Sequence, residues 1–233
     1  MEGMLQFAKG PLFIGTFMFM ILGLARLVIL QVMQIREAMN RLNDRHFDVS
    51  SALRQLAEWA VPVKHVHYRP FLSVVSFLFH IGLIITPVFL FGHIALLRSA
   101  AGLGWAALPG AVADALTLLT IVCGLILMGA RIFETDAAAL SEPQDYLLLL
   151  LLMTPFATGF MALHPWANPL SYNAVLLIHI LSGEAIFVLI PLTKLSHCVL
   201  FPFDRVSSDI FWKLPPGAGE AVARELHGNE ARI

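Results

Sequence analysis

Nine histidines stand in this 233-residue chain, and four of them, His80, His93, His179 and His197, fall inside long apolar runs. An ionisable side chain in such a run is expensive to hold in a bilayer, so it usually faces the interior of a helix bundle. Neutral imidazole also offers a nitrogen lone pair and is a common axial ligand of haem iron. A lone histidine has a plainer use, as a hydrogen-bonded packing residue. Four of them confined to two segments ask for a shared reason.

Composition bounds the answers. The chain is 58% hydrophobic and 13% charged, against about 45–50% and 25% in ordinary soluble domains. It reads as an integral membrane protein. A net charge of −1 gives no sign of nucleic acid. The two cysteines, Cys123 and Cys198, form no CxxC pair. That excludes a disulfide framework, c-type haem attachment and a cysteine-ligated iron–sulfur cluster held by this chain alone.

A bilayer core of about 30 Å requires about 20 apolar residues as helix. Five stretches qualify, at residues 11–33, 71–97, 109–131, 147–163 and 170–198. The expected fold is therefore all-α, a bundle of five transmembrane helices. Residues 1–214 form the membrane domain and 215–233 a cytoplasmic tail. The first run is too long for a leader peptide, has only Lys9 before it and lacks a small-residue cleavage site, so it reads as a span. Arg36, Arg41, Arg45, Arg54, Lys64 and Arg69 follow span 1, Arg131 ends span 3, and Arg205, Lys213, Arg224 and Arg232 follow span 5. The other side has Lys9 and Arg98. The positive-inside rule then places the N-terminus outside and the C-terminus in the cytoplasm. In the loop, residues 50–61 carry Leu53, Leu56, Ala57 and Ala60 at helical spacing, which reads as an interfacial helix or a partner contact.

With the spans alternating in direction, His80 and His197 fall toward the inner surface and His93 and His179 toward the outer one. Two bis-histidine haems at two depths would require this arrangement. Eighteen residues make about five helical turns, so His179 and His197 are expected on one face of a continuous helix. Thirteen residues rotate by about 220°, which would turn His80 and His93 apart. Pro87 and Pro191 lie between the respective pairs and supply kinks. Gly82, Gly92 and Gly183 lie near the histidines, where they would admit a porphyrin or simply a packed helix. His46, His65, His67, His164 and His227 read as interfacial residues.

Three motifs carry a family resemblance. SFLFHIG at 76–82, IPLTKLSH at 190–197 and DYLLLLLL at 145–152, with His179 followed by Gly183, resemble the gamma subunit of respiratory nitrate reductase. That family of five-span dihaem cytochromes b includes membrane subunits of heterodisulfide-reductase-like and sulfite-reduction-linked complexes. The resemblance covers all five spans. It implies two b haems, a quinone or quinol site near the outer haem, and cytoplasmic-side iron–sulfur partner subunits in a prokaryotic inner-membrane respiratory complex.

A quinone site of that kind needs polar groups near the outer haem. The candidates are Asp114, Arg98 and Glu184, a carboxylate being able to take up a quinol proton. Asp114 also reads as a helix-start residue. Glu184 also reads as half of a pair within the bundle, with Arg26 a possible mate. Lys194 is placed to meet a haem propionate or to snorkel to the interface. Two other classes stay open. A haem-free anchor would not need histidines paired by depth. A transporter could use the buried charges, but its usual signs, internal repeats and paired broken helices, are absent from the sequence pattern.

Overall fold

The computed structural model describes residues 1–42 and 69–211. Among these residues the fold is helical, with no strand. The helices are α1 (Glu2–Phe7), α2 (Phe13–Leu42), α3 (Pro70–Phe89), α4 (Phe91–Ala101), α5 (Gly110–Phe133), α6 (Thr135–Ala139), α7 (Pro143–Leu163), α8 (Tyr172–Leu189) and α9 (His197–Phe211). A π-helical turn, Ala8–Leu12, joins α1 to α2. Five helical segments are long and apolar enough to cross a membrane: Glu2–Asn40, Pro70–Phe89, Gly110–Phe133, Pro143–Leu163 and Tyr172–Leu192. The chain is thus a multi-pass helical membrane protein. The interfacial helix expected at 50–61 and the tail at 215–233 lie outside the described residues.

The described chain divides into two compact units, residues 1–19 with 69–188 and residues 20–42 with 189–211. In the first, α3 packs on α5 and α5 on α7. Their contact is a small apolar core of Val75, Phe79, Cys123, Leu149 and Met153. Small residues set the helix spacing. Gly82 faces Thr120 and the Leu116 carbonyl, and Gly124 faces Met153. Thr117 and Thr120 donate their hydroxyls to the carbonyls of Ala113 and Leu116, four residues back. These bonds satisfy polar groups that lipid cannot. Phe187 packs its edge against Phe13 and Phe17, at centroid distances of 6.0 and 5.7 Å.

Local chemistry explains the helix ends. Pro70 occupies the first turn of α3, where its missing N–H is harmless. Helix α7 begins four residues before the expected 147, because Glu142 and Asp145 form a reciprocal capping box with Pro143 in the first turn. Arg69 holds Glu134 at 2.9 Å and Asp136 at 2.5 Å, and Tyr146 donates to the Arg131 carbonyl. These contacts fasten the start of α3 to the α5–α6–α7 turn.

The second unit corrects one expectation. Span 5 is not one continuous helix to residue 198. Helix α8 ends at Leu189, and a 3-10 turn (Ile190–Leu192), an extended Thr193 and a second 3-10 turn (Lys194–Ser196) precede α9. Pro191 has no N–H to continue the α8 ladder. A Cβ at Gly23 would come within 2.6 Å of the Pro191 side chain, so only glycine in α2 admits it. Thr193 accepts from the Leu195 N–H and donates to the Leu189 carbonyl, which caps the new turn. The five-turn count from His179 to His197 therefore does not apply. In the same unit, Gln31 donates to Asp204 and Ser207 on α9 at 3.3 and 3.0 Å.

Candidate functional site

The expected span at 71–97 is also broken, at a place that makes a site. Pro87 withholds one N–H from α3, and Leu90 turns to extended backbone at φ −74°, ψ 129°. A helix end leaves its last four carbonyls without intrahelical partners. Here each is taken up. Thr86 accepts from the Leu90 N–H at 3.0 Å and Phe89 from the Leu108 N–H at 2.9 Å. Val88 accepts from Trp105 Nε1 at 2.9 Å. Pro87 accepts from His93 Nδ1 at 2.9 Å. The break interrupts the helix, so the 220° rotation counted between His80 and His93 does not apply.

His93 then lies beside His179 of α8. The ring centroids are 5.9 Å apart and the planes 14° apart. His179 Nδ1 donates to the Pro155 carbonyl of α7 at 2.8 Å. Gly159, one turn further along α7, makes room for this ring: a Cβ there would come within 2.9 Å of His179 Cε1. Since a carbonyl only accepts, both Nδ1 atoms carry the proton and both Nε2 atoms keep a lone pair. Binding of Nδ1–H to a carbonyl is the arrangement that presents Nε2 to a metal.

The donor set fits haem better than a free metal ion. Two imidazoles that present Nε2 are a donor set a bound haem would use. Among the described residues no third histidine, cysteine or carboxylate joins the pair to form a metal-binding group. A zinc or copper site would need such ligands, whereas a porphyrin brings its own equatorial nitrogens.

His80 and His197 repeat the Nδ1 pattern. His80 bonds the Ser76 carbonyl at 2.7 Å and meets the edge of Phe79, and His197 bonds the Lys194 carbonyl at 2.6 Å. His80 belongs to the first unit and His197, with Lys194, to the second. The glycines divide. Gly82 is a packing contact with α5, while a Cβ at Gly92 or Gly183 would meet no atom within 4 Å.

Among the described residues, no hydrogen bond or ion pair joins the three proposed quinone-site residues to one another. Asp114, near the start of α5, pairs with His164 at the end of α7, with Nε2 3.3 Å from Oδ2. His164 stacks on Phe160 at 4.1 Å and meets the edge of Trp166. Glu184 is buried in α8, 4% exposed, and among the described residues neither carboxylate oxygen has a hydrogen-bond partner. Arg98 lies at the end of α4 in a cleft with Trp105. His164, Gly159 and Trp105 were not singled out as site residues from the sequence. The glycine in TPFATGF and the tryptophan in GLGWAAL are the only traces they leave.

Fold and pair together define a multi-pass helical membrane protein with two imidazoles poised on separate helices. The chain belongs to the same family as a protein of Nitratidesulfovibrio vulgaris strain Hildenborough, with 35% identity over 209 residues that cover 87% of this chain and 90% of that one. No family model matches the chain. No solved structure matches it.

Proposed function

We propose that this chain is a dihaem cytochrome b subunit of a respiratory complex, moving electrons between membrane quinone and an iron–sulfur partner subunit. The observation that supports this most is the His93–His179 pair, parallel at 5.9 Å with both Nδ1 atoms tied to carbonyls. A bound haem supplies a one-electron carrier inside the bilayer. His93 and His179 would hold its iron, and the break at Leu90 and the glycine at 159 orient the two rings. His80 and His197 stand as ligands of the inner haem on their depths in the sequence.

Quinol oxidation releases protons as well as electrons. The Asp114–His164 pair, half-exposed one turn beyond the residue that cradles His179, offers a proton acceptor at that end. In this reading the membrane is the prokaryotic cytoplasmic membrane, with the N-terminus outside and the partner on the cytoplasmic face. The test is a reduced-minus-oxidised spectrum with haem quantitation on the purified full chain, wild type and His93→Ala. About two b haems falling to one supports the proposal. No haem in the wild type overturns it in favour of an anchor or transport subunit.

A further inference from the structure

We infer that the cleft between α4 and the loop 102–109 binds the phosphate head of an anionic phospholipid. The cleft has a volume of about 460 Å³ and is walled by Phe91, Ile94, Ala95, Trp105 and Ala107, with Arg98 as its charged group. That volume lies in the ordinary range of small-ligand sites, about 300–1,000 Å³. Among the described residues, no carboxylate or carbonyl accepts from the Arg98 side chain.

The exposed guanidinium of Arg98 lies over the loop, where a Cβ at Gly104 would come within 2.6 Å of Nε and 2.7 Å of a terminal nitrogen. Gly102, at φ 71°, ends α4 in the left-handed conformation and turns the loop back over it. Trp105 is fixed in turn, its Nε1 bonded to the Val88 carbonyl. A planar cation with no protein partner favours a bidentate oxyanion over a neutral carbonyl ligand, because charge-assisted bonds are roughly twice as strong.

The walls say what the oxyanion is attached to. Phe91 is 71% exposed, and Val88 and Ile84 precede it as exposed apolar side chains on α3. Exposed apolar side chains of this kind on the span would face an acyl chain. Aromatic Trp105 and Arg98 are residue types that concentrate at the headgroup level. A phosphate carrying acyl chains satisfies both halves of the surface, and a free phosphate satisfies only the cation.

The inference does not depend on haem. The test is native mass spectrometry of the full chain, purified in detergent and titrated with phosphatidylglycerol or phosphatidylcholine, for wild type, Arg98→Gln and Arg98→Lys. The expected result is one phosphatidylglycerol retained with about tenfold preference over phosphatidylcholine, abolished in Arg98→Gln and partly kept in Arg98→Lys. Equal retention of both lipids, or unchanged preference in Arg98→Gln, overturns it. Displacement of the lipid by a short-chain quinone analogue also overturns it and gives the cleft to quinone. Retention of inorganic phosphate with no lipid overturns it as well.

Discussion

The rings of His93 and His179 lie 5.9 Å apart and within 14° of parallel, each tied through Nδ1 to the carbonyl of a proline, Pro87 for one and Pro155 for the other. The two prolines do different things. Pro87 precedes a helix break that leaves its carbonyl free for His93. Pro155 lies inside α7, and its carbonyl takes a bond from the neighbouring helix. Both rings are thereby oriented by backbone, which would suit them as ligands of the proposed haem.

Removing either ring should remove the same haem. His93→Ala and His179→Ala are each expected to lower haem content from about two to about one per chain, with the same spectral component missing. His93→Ala also leaves the Pro87 carbonyl without its donor, at a cost of about 1–3 kcal/mol if no lipid headgroup or water replaces it. Difference spectra and thermal unfolding in detergent, taken together, check both parts. Loss of different components in the two variants would separate the pair.

Gly159 sets the position of His179. In Gly159→Ala the new methyl would sit 2.9 Å from Cε1 and 3.1 Å from Nδ1, too close for the ring to stay where it is. Overpacking of this kind costs about 1–3 kcal/mol. The expected outcome is weaker haem retention with altered ligand-field signals in electron paramagnetic resonance. Gly183→Ala is the control, since its methyl meets no protein atom within 4 Å. Its helix should be retained unchanged by circular dichroism. A normal spectrum in Gly159→Ala would remove the glycine from the site.

Five spans were legible in the sequence because an apolar run of bilayer length is a property of composition alone. The nearness of His93 and His179 was legible for a related reason, since position along alternating spans brings the two to the same end. What failed was rotation. Counting turns assumes an unbroken helix, and both counts crossed a break. Pro87 and Pro191 were visible as kink sites, but Trp105 and Leu108, the partners that take up the exposed carbonyls at the Leu90 break, come from a loop beyond α4. The start of α7 was missed because a capping box is made of polar residues, which a search for apolar runs rejects. That His164 meets Asp114 was not legible, because the contact joins the ends of two helices far apart in the chain.

Trp105 should act as a staple for the break. Trp105→Phe keeps an aromatic wall but removes the Nε1 donor to Val88. The expected loss is about 1 kcal/mol, the net worth of an ordinary hydrogen bond. It should appear as a lower thermal midpoint with haem content preserved. Hydrogen exchange at the amides of residues 90–94 should rise in the variant, because the turn they form is held by the four carbonyl bonds. Unchanged exchange there would show that the break holds without the indole.

Gly82 separates a packing glycine from a cofactor glycine. A methyl there would overlap the Thr120 hydroxyl and stand 3.0 Å from the Leu116 carbonyl oxygen of α5. The carbonyl is helix backbone and cannot move alone, so Gly82→Ala is expected to destabilise the α3–α5 contact by about 1–3 kcal/mol. Thr120 donates its hydroxyl to Leu116, on its own helix. Thr120→Ala should therefore cost little by itself and recover part of the loss in the double variant, with a coupling of about 0.5–3 kcal/mol between the positions. Unfolding of all three variants in detergent measures that coupling. Haem per folded chain should stay constant across them. If Gly82→Ala instead lost haem at unchanged stability, the glycine would belong to the surroundings of His80 and not to the packing of the helix.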